Sequence, residues 1–239
     1  MNQSADTIAS NLFHVRQSIA EVAHACTGSS NAIRLIAVSK GHQASAIAAA
    51  IAAGQKDFGE STTQDALPKI SQLANSSIDW HFIGHLQTNK AKFIPGNFSW
   101  LHSLDNLDLA RKLSRRVREL SANINILIEV NVNRDPKKHG IAPGALPDFI
   151  EKLLKESLPA LSLRGLMTIG PHAAPEKEIR GCFAKLRELR DECRKCYALP
   201  GFTELSMGMS GDYVEAIKEG ATMLRVGTAI FGERRYSKK

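Results

Sequence analysis

From Ile33 onward, short apolar runs alternate with segments whose apolar residues recur every three or four positions. The runs read as strands near 33–39, 56–60, 79–84, 99–103, 124–132, 162–169, 203–207 and 222–227. The segments of helical period lie near 43–54, 61–74, 88–94, 106–121, 145–156, 175–197 and 211–219, and an amphipathic helix near 4–25 precedes the first strand. Eight strands, each separated from the next by a crossover, predict an α/β fold: a single parallel (β/α)8 TIM barrel with an extra N-terminal helix. An open doubly wound sheet also satisfies the alternation, but eight regular units in roughly 200 residues favour closure. No low-complexity linker divides the chain, so residues 1–239 read as one domain.

The parity of the strands says what faces inward. On the fifth strand Ile126, Ile128, Val130 and Val132 share the face toward the helices, and Leu127, Glu129 and Asn131 share the barrel face. On the first, Lys40 has the parity of Ile36 and Val38. The carboxyl ends of barrel strands carry the chemistry. Polar residues gather there: Lys40, Glu60, His85, Ser103, Asp105, Asn131, Thr168, Ser206, Arg225 and Thr228.

Lys40 closes the apolar run that starts at Ile33. Taking its amine out of water disfavours the charged form, lowers the pKa and makes it a candidate nucleophile toward aldehydes. The alternative is a strand-end lysine that snorkels to solvent. A second feature bears on that choice. The segment Leu205-Ser-Met-Gly-Met-Ser210-Gly-Asp-Tyr leaves strand seven and opens a helix, with Ser210 as its expected N-cap. Gly208 and Gly211 are expected to let the backbone approach a ligand, and strand eight ends Arg225-Val-Gly227-Thr228. Barrels commonly bind phosphate at the loops after strands seven and eight; a plain capped helix plus a turn would leave the same trace.

Closure of the barrel makes strands one, seven and eight neighbours. A Schiff-base amine beside a phosphate site points to pyridoxal 5'-phosphate. Arg225 has the parity of Gly227 and is expected to face the ring. A guanidinium only donates hydrogen bonds, so against the pyridine nitrogen it would keep that nitrogen unprotonated. The ring is then a poor electron sink, suited to racemisation at most or to simple holding of the cofactor.

Composition and charge narrow the classes further. A formal charge of +7 raises a nucleic-acid hypothesis, and Arg111, Lys112, Arg115, Arg116 and Arg118 cluster at helical spacing. Stacking aromatics are missing from that cluster, so it reads as a solvated helix face and no nucleic-acid partner is expected. No run approaches the roughly 18 apolar residues of a membrane span, and Asp6, Arg16 and Glu21 break any signal-peptide core, so a cytoplasmic location is expected. Four cysteines do not make a disulfide framework in a chain of this length. Cys193 and Cys196 have CxxC spacing inside a helical pattern and lack the second pair that a structural metal site needs.

The motifs Ala37-Val-Ser-Lys40, Phe58-Gly-Glu60, Trp80-His-Phe-Ile-Gly-His-Leu-Gln-Thr-Asn-Lys90, His102-Ser-Leu-Asp105, Leu166-Met-Thr168, Leu205-Ser-Met-Gly-Met-Ser210 and Arg225-Val-Gly-Thr-Ala-Ile-Phe-Gly232 follow one another in order. Together they resemble the pyridoxal-phosphate homeostasis proteins (YggS/PROSC type). The resemblance implies a barrel like the N-terminal domain of alanine racemase, without that enzyme's C-terminal β domain, and hence a monomer. It implies that Lys40 carries pyridoxal 5'-phosphate as an internal aldimine, that Ser210, Gly227 and Thr228 hold the phosphate, and that Arg225 meets the pyridine nitrogen. It further implies a non-catalytic role in vitamin B6 homeostasis, storing the cofactor or supplying it to pyridoxal-phosphate-dependent apo-enzymes. The chain departs from the family at Ser61-Thr-Thr-Gln-Asp65, where Asn-Tyr-Val-Gln-Glu is usual, which affects contacts near the ring edge.

Two other functions fit parts of the pattern. A weakly active amino-acid racemase needs a second acid/base, for which His85 and His102 are available by type; Tyr197, Tyr213 and Tyr236 lie at no strand mouth. A cofactor-free Schiff-base aldolase explains Lys40 but not Arg225. Lys137 and Lys138, with Arg234 and Arg235, are a candidate secondary anion site.

Overall fold

The computed structural model describes residues 4–27, 33–74 and 76–233. Eight parallel strands run β1 (Arg34–Val38), β2 (Asp57–Glu60), β3 (Asp79–Phe82), β4 (Trp100–Leu104), β5 (Ile124–Glu129), β6 (Leu161–Met167), β7 (Glu204–Ser206) and β8 (Met223–Val226). They close into a barrel in sequence order. The seam is β1 on β8, where Ile36 stands beside Arg225 and Ala37 beside Val226. Of the two sheets that the alternation allows, the closed one forms.

Around the barrel lie α1 (Ala5–Thr27), α2 (Ala44–Ala52), α3 (Thr63–Gln72), α4 (Leu107–Glu119), α5 (Leu146–Lys155), α6 (Glu176–Cys196), α7 (Tyr213–Lys218) and α8 (Thr228–Phe231). The crossover expected near 88–94 is a 3-10 turn, Thr88–Phe93, and the four-residue α8 falls where a loop was expected. On α1, Ile8, Leu12, Val15, Ile19 and Ala23 are buried, spaced three or four apart. This stripe covers α2, α7 and α8, and Asn11 and Arg16 donate to the carbonyls of Ile230 and Ala53.

The parity expected for β5 holds. Ile126, Ile128 and Val130 join the outer core between strands and helices, whereas Leu127 packs inside the barrel with Ile36, Trp100, Met167 and Met223. That inner layer is small because much of the barrel's interior is polar: His81, His102, Ser206 and Arg225 are all buried. Buried polar groups persist only when hydrogen-bonded to one another, and these are.

Candidate functional site

A cavity of about 400 Å³ opens at the carboxyl ends of the strands. Lys40, Ser210, Arg225, Gly227 and Thr228, the five residues singled out from the sequence, all line it. They reach it from the ends of β1, β7 and β8.

The backbone around Lys40 is held by a buried charge cluster. Glu60, fully buried at the end of β2, accepts from Ser39 Oγ (2.6 Å) and from Lys69 Nζ (2.8 Å). Lys69 also donates to the Ser39 carbonyl at 3.0 Å and pairs with Asp65 at 2.9 Å. Asp65 in turn accepts the Gly41 N–H at 2.9 Å. The residues on either side of Lys40 are therefore both tied to α3. Burial pushes the Glu60 carboxyl up against the pull of Lys69, and its Oε2 has no hydrogen-bond partner. Burial also opposes ionisation of Asp65, but the Gly41 N–H and Lys69 outweigh it and hold that carboxyl below its ordinary value. The departure at Ser61–Asp65 thus falls into two parts. Thr62 caps α3 and Asp65 anchors Gly41, while Ser61 lines the cavity.

Arg225 is the cavity-side end of a polar chain through the barrel. Its Nη1 donates to Ser206 Oγ at 2.7 Å and its Nη2 to the Thr168 carbonyl at 2.9 Å. Ser206 Oγ lies 2.9 Å from His102 Nδ1, His102 Nε2 lies 2.9 Å from His81 Nδ1, and His81 Nε2 lies 3.0 Å from Asp57 Oδ1. Asp57 pairs with Arg34 at 3.2 Å, toward the opposite mouth. Burial holds both imidazoles below the ordinary histidine value, His102 well below it, with the charge of Arg225 adding to the effect on His102. With both rings neutral and Asp57 a carboxylate, one proton arrangement satisfies the chain. Arg225 donates to Ser206, Ser206 to His102, His102 to His81, and His81 to Asp57. Burial also lowers the Arg225 guanidinium to about 10.

At the phosphate end, the structure corrects the N-cap expected at Ser210. Asp212, not Ser210, stands at the N-cap position of α7, and its Oδ1 accepts the Met209 N–H. Ser210 Oγ instead accepts from the backbone N–H groups of Gly227 and Ala229, both at 3.3 Å, which joins the β7 loop to the β8 loop. Gly208 also differs from expectation. Its φ is +91°, and a Cβ there would sit 2.6 Å from Ala216 Cβ and 2.9 Å from Leu224 Cδ2, so packing rather than ligand approach requires glycine. Gly211, by contrast, lines the cavity.

The other polar strand ends divide. His85 reaches the cavity, whereas Glu60, Ser103, Asn131, Thr168 and Ser206 do not line it and serve as supports; Asp105 does not line it either and faces His85 at 3.5 Å. Ser103 donates to the Gly84 carbonyl, and Asn131 pins the following loop through Asp135 and Lys138. His102 is fully buried in the polar chain and is not available as a cavity-side acid or base. The Tyr213 hydroxyl meets Ser18 and that of Tyr197 meets the Pro147 carbonyl, both away from the cavity. Tyr236, Arg234 and Arg235 lie outside the described residues.

Several wall residues escaped the sequence reading. Glu129 was assigned to the barrel face but not to the site, and Met209 and His139 were not singled out. Burial, with the charge of Asp105 adding and that of Arg225 opposing, pushes the Glu129 carboxyl up to about 7. Its inward parity was the available signal. Lys137 and Lys138 line the same cavity, and Lys138 Nζ donates to the carbonyls of Ile169 and Gly170. Elsewhere, Arg111 pairs with Glu156 and Asp108, and Arg116 with Glu119, on the solvated face of α4. Cys193 is buried and Cys196 exposed on α6, so the two thiols occupy different environments. Among the described residues no helix is long and apolar enough to cross a membrane.

A closed barrel with a strand-one lysine and a strand-eight arginine at one mouth defines a class, and the comparisons agree with it. The alanine racemase N-terminal domain family matches residues 10–235. The pyridoxal phosphate homeostasis protein of Pseudomonas aeruginosa is 42% identical over 230 residues, covering 96% of this chain and 97% of that protein. That of Escherichia coli K12 is 42% identical over 237 residues, covering 97% and 99%. The solved structure of PipY from Synechococcus elongatus with pyridoxal phosphate bound is 37% identical, with a TM-score of 0.84, and covers 94% of this chain and 100% of PipY. This chain belongs to the pyridoxal phosphate homeostasis protein family, on the alanine racemase N-terminal fold.

Proposed function

We propose that residues 1–239 act as one pyridoxal 5'-phosphate-binding domain that stores the cofactor and supplies it to apo-enzymes, without catalytic turnover of its own. The observation that carries the reading is the convergence of Lys40, Arg225, Gly227, Thr228 and Ser210 on one cavity. The residues fit the cofactor. A volume of about 400 Å³ suits a molecule of this size, and its wall combines an amine, a donor-only guanidinium and backbone N–H groups with hydroxyls. When bound, the cofactor supplies an aldehyde carbon that condenses with amines.

In this reading Lys40 Nζ forms the covalent carbon–nitrogen linkage, its position fixed by the ties of Ser39 and Gly41 to α3. The Ser210 and Thr228 hydroxyls would donate to the phosphate oxygens, and the Gly227 N–H, which meets Ser210 Oγ at 3.3 Å in this structure, would turn to the phosphate when it is bound. Arg225, locked by Ser206 and Thr168, presents N–H groups to the pyridine nitrogen and withholds a proton from it. That disfavours carbanion chemistry and favours holding. The racemase reading keeps only His85 of its two candidate acid/bases, because His102 is committed to the buried chain. The protein is proposed to work as a cytoplasmic monomer.

The test is spectroscopic. Protein mixed with pyridoxal 5'-phosphate is expected to develop the visible band of a protein-bound imine, and Lys40→Ala to abolish it. A chain that stays colourless with excess cofactor would refute the proposal, and sustained racemisation of an amino acid that is lost in Lys40→Ala would replace it with the enzyme reading.

A further inference from the structure

Three consecutive strand ends bring His85, Asp105 and His139 together, with both histidines on the cavity wall. His85 follows β3, Asp105 follows β4, and His139 lies on the loop after β5. One donor atom from each lies within 4.8 Å of the other two. The two imidazoles stack with centroids 3.7 Å apart and planes 10° apart, and His85 Nδ1 is 3.5 Å from Asp105 Oδ2. Neither histidine belongs to the polar chain through the barrel, and the reading of the cavity as a cofactor site uses none of the three.

We propose that this cluster is a binding site for a divalent transition metal of the Zn²⁺ or Co²⁺ kind. Two imidazoles and one carboxylate are the donor set such ions prefer, whereas Mg²⁺ and Ca²⁺ prefer all-oxygen sites. Three protein ligands leave at least one coordination position open, the pattern of reactive rather than structural zinc. His85 and His139 both line the cavity, so the open position faces the space that holds Lys40 and Glu129. There it takes water or an anionic oxygen of a small molecule in the cavity.

The supports behind the ligands are in place. Asn106 Nδ2 donates to Asp105 Oδ1 at 2.9 Å, which leaves Oδ2 directed at His85. The loop bearing His139 is fixed on both sides. Asn131 Nδ2 holds the carbonyls of Asp135 and Lys138, and Ile141 pairs with the end of β5 through its N–H to the Glu129 carbonyl. Outer partners of this kind set the direction of metal ligands and raise their affinity. Donor atoms around a tetrahedral zinc sit roughly 3.3 Å apart, given bonds near 2.0 Å. The exposed histidine side chains close the remaining distance, and bring their nitrogens into line with the ion, by rotation about their side-chain torsions.

The experiment uses the full chain, stripped of metal by a chelator and free of added cofactor. Titration with Zn²⁺ by calorimetry is expected to show one site per chain, and Co²⁺ to develop visible ligand-field bands. His85→Ala, His139→Ala and Asp105→Asn are each expected to weaken binding at least about tenfold. His24→Ala, on the exposed face of α1, is the control and is expected to bind like the parent. Absence of saturable binding would overturn the proposal, as would affinity unchanged in all three variants or lost equally in the control. Metal binding without cofactor present is read independently of the pyridoxal-phosphate band, so either conclusion can fail alone.

Discussion

Ser206 Oγ stands 2.7 Å from Arg225 Nη1 and 2.9 Å from His102 Nδ1, so one buried hydroxyl joins the cavity's guanidinium to the barrel's histidine pair. Because the arginine can only donate, the hydroxyl accepts from it and has its own proton free for the imidazole. Ser206→Ala removes both partners at once. Leaving a buried donor and a buried acceptor unpaired costs about 1–3 kcal/mol for each, about 2–6 kcal/mol together. Urea unfolding of the variant is expected to show a loss of that size with the barrel intact. Stability equal to the parent's would mean that the chain contributes nothing to the fold.

The histidine pair also gives the protein an acid limit. Burial lowers the pKa of His81 and of His102 in the folded chain. In the unfolded chain each takes up a proton near 6.5. Below that pH the unfolded state therefore binds more protons, and stability falls as pH falls from about 6.5, by up to 1.4 kcal/mol per pH unit for each ring. His102→Gln keeps a donor and an acceptor in the buried position but cannot titrate. Its stability, measured by thermal unfolding between pH 7 and 5, is expected to decline less steeply than the parent's, by one proton's worth of slope. An unchanged slope would show that His102 is not held neutral by the fold.

Much of this architecture was legible from period and parity, and its failures share a cause. The eight strands and the inward face of β5 follow from spacing alone, because burial on one face or both leaves a direct trace in residue type. Lys40 and Arg225 were legible because a charged group closing an apolar strand has few reasons to be there. The N-cap expected at Ser210 falls elsewhere because capping is decided by backbone geometry: Asp212, two residues on, takes the cap position, and Ser210 turns to Gly227 and Ala229. His85, Asp105 and His139 converge through loop closure across three strand ends, and nothing in linear spacing records that. Glu129 lay in plain view on the barrel face. The sequence could not say that Asp105 and burial would act on it together.

Gly208 links the β7 loop to α7 and β8, and its cost of substitution follows from two separate demands. Its backbone is left-handed at φ +91°, and an added methyl would press on Ala216 and Leu224. A left-handed alanine costs about 1–2 kcal/mol and overpacking a further 1–3 kcal/mol. Gly208→Ala is expected to destabilise the chain by about 2–5 kcal/mol in denaturant unfolding and to weaken phosphate-bearing ligands by displacing Ser210. Gly211→Ala, where a Cβ meets open space, is the comparison and is expected to leave stability within about 1 kcal/mol of the parent. Equal effects at the two glycines would rule out the packing argument.

Glu129 is expected to show the opposite pH sign from the histidines. Its pKa is raised to about 7 in the folded chain, by burial first and by Asp105 second, against Arg225. In the unfolded chain the carboxyl ionises near 4.3. Between those values the folded state holds a proton that the unfolded state has released, so stability falls as pH rises through this window and levels off above about 7. At pH 8 the buried carboxylate costs about 3.5 kcal/mol relative to an exposed one. Glu129→Gln keeps the shape and removes the charge. The variant is expected to match the parent near pH 4.5 and to exceed its stability by up to about 3.5 kcal/mol at pH 8, read by urea unfolding at both values. A difference independent of pH would mean that Glu129 ionises at its ordinary value and that the cavity floor carries a full negative charge throughout the neutral range.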